Sequence, residues 1–152
     1  MTNCKPLATP MTQNEKLTKD DNRERANETT FRSLLGSLIY LTNTKPDIVH
    51  TMSIVSRYMS QPSKAYFTAA KRILHYIKET KSYGIFYKSE EASNLISYID
   101  SYWTESIDDK KSTSGYAFFL GIKIISWSSR KQKTMALSSV GAEYIATTSA
   151  VY

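Results

Sequence analysis

The sequence lacks most of the residue patterns that define a site on their own. It contains one cysteine, Cys4, in 152 residues, which excludes an intrachain disulfide and a cysteine-based zinc site. It has no glycine-rich phosphate loop, no Ser-His-Asp set and no closely spaced cysteine pair. His50 and His75 lie in separate predicted helices, which favours ordinary packing over catalysis.

Long apolar runs are also missing. No segment approaches the roughly 20 consecutive apolar residues that a membrane-spanning helix needs. The first residues, Met-Thr-Asn-Cys-Lys-Pro, lack the apolar core of a secretory signal peptide. With the single cysteine, these features predict a soluble intracellular protein, cytoplasmic or nuclear, with no membrane partner.

The overall composition is that of a folded domain with a net positive charge. The chain is 41% hydrophobic and 22% charged, which is ordinary for a globular protein. Its formal charge is +6 and its pI about 9.3. A basic balance favours a polyanionic partner such as nucleic acid, although many basic proteins bind none.

The first half of the chain has helical periodicity after a polar start. Pro6 and Pro10 break any helix near the beginning, so residues 1–30 are predicted to be a flexible arm, or one ordered only by packing. Three helices are then predicted within 31–80 from apolar residues at helical spacing. Their starts are assigned to Thr29 or Thr30, to Pro46 with Asp47, and to Ser63.

After Gly84 the periodicity changes to that of strands. Residues 85–88, 95–101, 114–120 and 122–128 are β-branched or aromatic with alternating stretches. The link Leu120-Gly-Ile122 predicts a tight antiparallel hairpin, and Ser138 or Ser139 begins a final helix. We therefore predict a mixed α/β fold, with helices first, then a meander of three main antiparallel strands within about 83–128, and a helix from about 139.

Two acidic residues are candidates for metal chemistry. Asp100 lies late in an alternating strand, where a buried carboxylate is costly unless it is paired or bound to a metal. Glu143 lies near the start of the last helix. Taken singly, each has an ordinary explanation, a solvent-exposed or ion-paired strand end for Asp100 and a favourable first-turn position for Glu143. Together they could converge on a hard cation such as Mg²⁺.

Basic residues form two candidate nucleic-acid contacts. One is the side of the third helix opposite its apolar face, and the other is the segment 129–133. A solvated surface remains the alternative for the helix, and the acidic stretch 105–109 is predicted to be a solvated turn with balanced charge. The candidate contact residues are Lys64, Lys71, Arg72, Lys78, Arg130, Lys131 and Lys133.

Several longer motifs resemble copia-type retrotransposon Pol polyproteins. The helical part of the chain is similar to the segment that follows the reverse-transcriptase core, and the strand-rich part is similar to the ribonuclease H domain. The opening residues Asn3-Cys-Lys-Pro6 and Thr9-Pro10 fit as well. The main motifs are Arg32-Ser-Leu-Leu-Gly-Ser-Leu-Ile-Tyr-Leu-Thr-Asn-Thr-Lys-Pro-Asp-Ile48, Ala69-Ala-Lys-Arg-Ile-Leu-His-Tyr-Ile-Lys-Glu-Thr80, Lys111-Ser-Thr-Ser-Gly-Tyr116, Ile125-Ser-Trp-Ser-Ser-Arg-Lys-Gln132, Ala136-Leu-Ser-Ser139 and Ala142-Glu-Tyr144.

The resemblance implies a specific domain order and chemistry. Residues 31–80 would be a thumb- or connection-like segment of the reverse transcriptase, and 81–152 the first part of a ribonuclease H-like domain. Asp100 and Glu143 would be metal-binding catalytic carboxylates. The parent domain would use two Mg²⁺ ions to hydrolyse the RNA strand of RNA–DNA hybrids, and the rest of the Pol polyprotein would be a partner.

The chain also departs from the family pattern. The family usually reads Asp-Ser-Asp-Trp or Asp-Ala-Asp-Trp where this chain has Asp100-Ser-Tyr-Trp103, and Thr-Glu-Ala-Glu-Tyr where it has Val140-Gly-Ala-Glu-Tyr144. The remaining carboxylates are expected beyond residue 152. We therefore expect a catalytically incomplete fragment. The alternatives are a non-enzymatic remnant or an interaction module with weak, sequence-independent nucleic-acid binding.

Overall fold

The computed structural model describes residues 5–12, 17–19, 21–89 and 94–152. Asn3 and Cys4, and parts of the predicted arm, lie outside the described residues. The chain divides into two compact units, residues 1–84 and 85–152. None of the helices in the described ranges is both long enough and apolar enough to cross a membrane.

The first unit is helical. Its helices are α1 (Glu28–Leu41), α2 (Val49–Val55) and α3 (Lys64–Glu79), and short 3₁₀ turns at Pro46–Ile48 and Ser56–Tyr58 flank α2. The three helices bury one cluster of apolar side chains because each presents an apolar stripe at helical spacing. That core comprises Phe31, Leu35, Leu38, Ile48, Met52, Val55, Tyr58, Tyr66, Ala69, Ala70 and Ile73.

Two of the predicted helix starts are corrected in detail. The cap of α1 is Asn27 rather than Thr29 or Thr30, and the Asn27 side chain accepts a hydrogen bond from the Thr30 amide at 2.8 Å. Ser63 does precede α3, but its side chain makes no capping bond. The Ser63 hydroxyl donates to Asp21 instead, because this part of the arm lies against the start of α3.

Described parts of the predicted arm contact the helices. The rings of Tyr58 and Tyr66 stack with centroids 4.2 Å apart. Their hydroxyls donate to the backbone carbonyls of Leu17 and Thr18. These contacts satisfy phenol groups that would otherwise be buried without a partner. Contacts do not measure motion, so the flexibility of the arm stays a prediction.

The second unit is a meander followed by a helix. Strands β1 (Leu95–Tyr102), β2 (Thr113–Leu120) and β3 (Lys123–Lys131) form an antiparallel sheet in the order β1-β2-β3, and α4 spans Ser139–Val151. The predicted hairpin is present. Gly121 has a φ of 63°, which glycine adopts without strain, and a register shift follows Phe118. The predicted mixed α/β class, with helices first and then a three-stranded antiparallel meander that ends in a helix, is confirmed.

One predicted strand is absent. Residues 85–88 have no regular structure, because no strand of the described sheet pairs with their backbone. The Tyr87 hydroxyl donates to the Ile124 carbonyl at 3.0 Å, while the Phe86 side chain is exposed. β-propensity alone does not make a strand when the sheet offers no partner.

Candidate metal site and nucleic-acid contacts

Asp100 lies near the C-terminal end of β1 with an exposed side chain. Its register partner on β2 is Gly115, which has no side chain to cover the carboxylate. Ser129 is next in the same row, on β3. The Asp100 carboxylate is therefore solvated and accessible to a cation, and needs no buried partner.

Glu143 lies in α4, but not in its first turn, which contains no acidic residue. The first-turn explanation for Glu143 is therefore wrong, since the helix dipole acts mainly within the first turn. Glu143 Oε1 instead accepts two hydrogen bonds from Ser101, one from the backbone amide at 3.3 Å and one from the hydroxyl at 3.0 Å. The Glu143 carboxylate is therefore positioned by hydrogen bonds to β1 and not by the dipole at the start of α4.

The structure thus brings Glu143 to the residue that follows Asp100. Successive side chains of a strand leave opposite faces, so Ser101 lies on the face under α4 and Asp100 on the other. Both hydrogen bonds of Glu143 Oε1 go to Ser101, not to Asp100. Sharing of one ion by the two carboxylates stays a prediction.

The number of possible ligands at this place is small. Within residues 5–12, 17–19, 21–89 and 94–152, no group of three or more His, Cys, Asp or Glu side chains could hold a metal ion. Asp100 and Glu143 are therefore two carboxylates without a third from the described chain. Carboxylate oxygens are the right type of ligand for Mg²⁺, but the ion usually completes its octahedron with water when protein ligands are few.

The acidic stretch 105–109 contains the predicted turn at residues 107–109, which are exposed. Ser106 and Ser112 are buried, and Asp109 pairs with the Lys131 ammonium at 2.7 Å. Burial alone would raise the pKa of Asp109. Hydrogen bonds from Lys131 and Ser106 outweigh that effect and lower the pKa to about 2. The turn is therefore joined to the end of β3 through Lys131. The balanced charge predicted for this stretch includes one specific ion pair.

The basic side of α3 is partly engaged within the protein. Lys64 pairs with Glu24 at 2.6 Å, and the Lys71 ammonium lies 4.6 Å from the centroid of the Phe67 ring. Arg72 donates to the Thr9 hydroxyl at 2.8 Å. Lys78 follows on the same helix and also has a partner. Nucleic-acid binding here would compete with these contacts, so it stays a prediction.

The basic end of β3 has more accessible charge. Arg130 and Lys133 are exposed, and among the described residues neither cationic group has a hydrogen-bond or ion-pair partner. Lys131 is held by Asp109. The Lys111 ammonium donates to the Lys133 carbonyl at 2.6 Å, which fixes the backbone of this segment.

Sequence reasoning missed the residue that organises this region, Gln132. Its side chain is 6% exposed and donates from Nε2 to the Ser114 hydroxyl at 2.8 Å and to the Ala142 carbonyl at 2.9 Å. Gln132 thereby ties β2 to the first turn of α4. A polar residue within a basic stretch gives no local signal that it will be buried.

Comparison with known proteins identifies the family. The chain is 41% identical over 144 residues, 95% of its length, to the retrovirus-related Pol polyprotein from transposon RE2 of Arabidopsis thaliana. It is 40% identical, over the same share, to the Pol polyprotein from transposon RE1 of that plant. The chain belongs to the copia-type retrotransposon Pol family.

This Pol segment is short beside its transposon relatives, since it spans 10% of the length of each of those two polyproteins. A relative of comparable length also exists. The secreted RxLR effector protein 161 of Plasmopara viticola is 36% identical over 76% of the Pol segment and 82% of its own length. No family model matches the Pol segment, and no solved structure matches it.

Proposed function

We propose that this chain carries the first part of the ribonuclease H domain of a Pol polyprotein, preceded by a helical segment of the reverse transcriptase. The parent enzyme hydrolyses the RNA strand of RNA–DNA hybrids with two Mg²⁺ ions. The observation that supports this proposal is the contact of Glu143 with Ser101. This contact brings Glu143 to the end of β1 that also carries Asp100.

The residues fit a Mg²⁺ site in type but not in number. When bound, a pair of divalent cations stabilises the attacking and leaving oxygens of the scissile phosphodiester. Asp100 and Glu143 would hold such a cation with carboxylate oxygens. Because no cluster of three ligands exists among the described residues, we propose that the chain by itself is catalytically incomplete.

Nucleic-acid binding does not need the metal site. Arg130 and Lys133 on the strand-rich unit are cations without a partner in the described part of the chain. Along α3, positive charge is added by Lys64, Lys71, Arg72 and Lys78. Cations that meet phosphates bind without reading the base sequence. The proposed binding is therefore weak, sequence-independent and strongly weakened by salt.

A labelled RNA–DNA hybrid incubated with the purified 152-residue chain and Mg²⁺ tests this proposal. We expect binding that weakens steeply with salt, and cleavage no faster than the background without protein, because a catalytic unit that lacks members typically loses several orders of magnitude in rate. Asp100→Asn should leave this result unchanged, and Glu79→Gln serves as a charge-matched control on α3. Robust cutting that Asp100→Asn or Glu143→Gln abolishes would show that two carboxylates suffice. If the chain binds no hybrid even at low salt, the proposed nucleic-acid binding is contradicted.

A further inference from the structure

The second unit contains a cavity of about 430 Å³ that lies apart from the candidate metal residues. Its wall is formed by β2, the end of β3, the residues that follow it and the second half of α4. Its size is within the range of small-molecule sites, roughly 300–1,000 Å³. No Asp or Glu lines it, and its lining residues include Ser114, Tyr116, Ser128, Arg130, Gln132, Lys133, Ile145 and Tyr152.

Hydrogen-bond donors line one part of the cavity. The Arg130 and Lys133 cations have no partner among the described residues, and within the same residues the Tyr116 and Ser128 hydroxyls form no hydrogen bond. The Ser114 hydroxyl accepts from Gln132, which leaves its own proton free to donate. Cations and hydroxyls of this kind bind an anion with several acceptor oxygens, such as a phosphate group.

One acceptor in the cavity wall lacks a donor. Gln132 Oε1 is buried and has no hydrogen-bond partner in the described chain. Its amide orientation is fixed, because Nε2 must donate to the Ala142 carbonyl. Buried polar groups are normally satisfied. Because Oε1 has almost no accessible surface, a ligand in the cavity would reach it only after a shift of the Gln132 side chain, and would then need a hydroxyl or amino donor.

The remaining wall is apolar. Ile145 and Ala146 from α4 face the cavity, and Ala146 is almost fully buried. Phosphate oxygens, a hydroxyl or amino donor and a flat apolar group occur together in a nucleotide. We propose that this cavity binds one nucleotide carrying a phosphomonoester, either free or at the end of a strand.

This inference goes beyond the proposed function, since it requires neither Asp100 nor cleavage. An amide NMR titration of the 152-residue chain with adenosine 5′-monophosphate tests it. We expect shift changes confined to the residues around the cavity, and binding of adenosine or inorganic phosphate about tenfold weaker than that of the nucleotide, since each lacks part of the contacts. A strand with a 5′-phosphate, compared with the same strand without it, separates a free nucleotide from a strand end as the source.

Variants make the test specific. Arg130→Gln removes an exposed cation and should weaken nucleotide binding by about tenfold, because it deletes a charge-assisted hydrogen bond. Ile145→Trp should abolish binding by filling the space. Lys123→Gln removes the same charge from β3 outside the cavity and should leave binding unchanged.

Three results would overturn the inference. They are equal weakening by Lys123→Gln and Arg130→Gln, shift changes spread over both units, and phosphate alone binding as tightly as the nucleotide. If the chain binds the hybrid but not the nucleotide, the nucleotide site in the cavity is contradicted and the proposed nucleic-acid binding stands. If the chain binds the nucleotide but not the hybrid, the proposed nucleic-acid binding is contradicted and the nucleotide site stands.

Discussion

Asp109 and Lys131 form the ion pair that fixes the basic end of β3. The Asp109 side chain is 39% exposed and that of Lys131 27%, so solvent screens much of their attraction. Exposed pairs of this kind contribute roughly 0.2–1 kcal/mol. The pair thus contributes little to overall stability, and its main effect is to fix the position of the Lys131 side chain beside the cavity.

Asp109→Asn should lower the free energy of unfolding at neutral pH by no more than about 1 kcal/mol. The folded-state pKa of Asp109, about 2, lies below the ordinary 3.8, so its stabilisation is present above about pH 4 and is lost as the pH falls through about 2. Urea unfolding of both proteins between pH 2 and 7 measures the difference, which should be mostly lost at the acid end. A difference independent of pH would contradict the ion pair, and Glu79→Gln controls for loss of one exposed carboxylate.

Single residues also show where sequence reasoning stops. The burial of Tyr66, Ala70 and Ile73 on α3 follows from spacing along one helix, which the sequence contains. The contact of Glu143 with Ser101 joins residues 42 positions apart, and the burial of Gln132 depends on α4. Such partners are set by the tertiary fold, so no local pattern predicted them.

At the scale of elements, α1 depends on a cap that propensity did not locate. Asn27 Oδ1 accepts from the Thr30 amide at 2.8 Å and from the Thr30 hydroxyl at 2.9 Å. It satisfies one of the amides that the first turn leaves free. The threonines at the predicted start are inside the helix because an asparagine upstream already caps it.

Asn27→Ala should destabilise the helical unit by about 1 kcal/mol, the usual cost of removing such a cap. Asn27→Ser is the matched control, since serine also caps well and should retain most of the stability. Urea unfolding followed by far-ultraviolet circular dichroism measures both. Equal stability of the alanine and asparagine proteins would mean that packing alone holds the start of α1.

Across the whole molecule, the apolar core is distributed unevenly. The large, fully buried apolar side chains belong to residues 1–84, whereas the buried apolar residues of the second unit, within its described part, are Ala136, Ala142 and Ala146. Full burial of a large apolar side chain stabilises a fold by roughly 1.5–3 kcal/mol. The second unit therefore rests more on its sheet hydrogen bonds and on the Gln132 ties than on a core.

We expect residues 85–152 to unfold before residues 1–84. Hydrogen exchange measured by NMR or mass spectrometry should show slower exchange for α3 amides than for β2 amides, because local opening is easier where little apolar surface is buried. The Ile73→Ala variant should accelerate exchange in α3 strongly, since it opens a cavity in the first core. Equal protection of α3 and β2 in the unaltered protein would show that the second unit is as stable as the first.

The thin core of the second unit has a consequence for the life of the protein in a cell. Leu137, Val140 and Tyr144 are exposed around α4, and a unit that opens readily presents such side chains to chaperones and proteases. The abundance of the chain would then be governed by quality control acting on this half, because degradation follows the population of the open form. A ligand or substitution that stabilises residues 85–152 against unfolding would lengthen the half-life of the protein, even if the stability of residues 1–84 did not change.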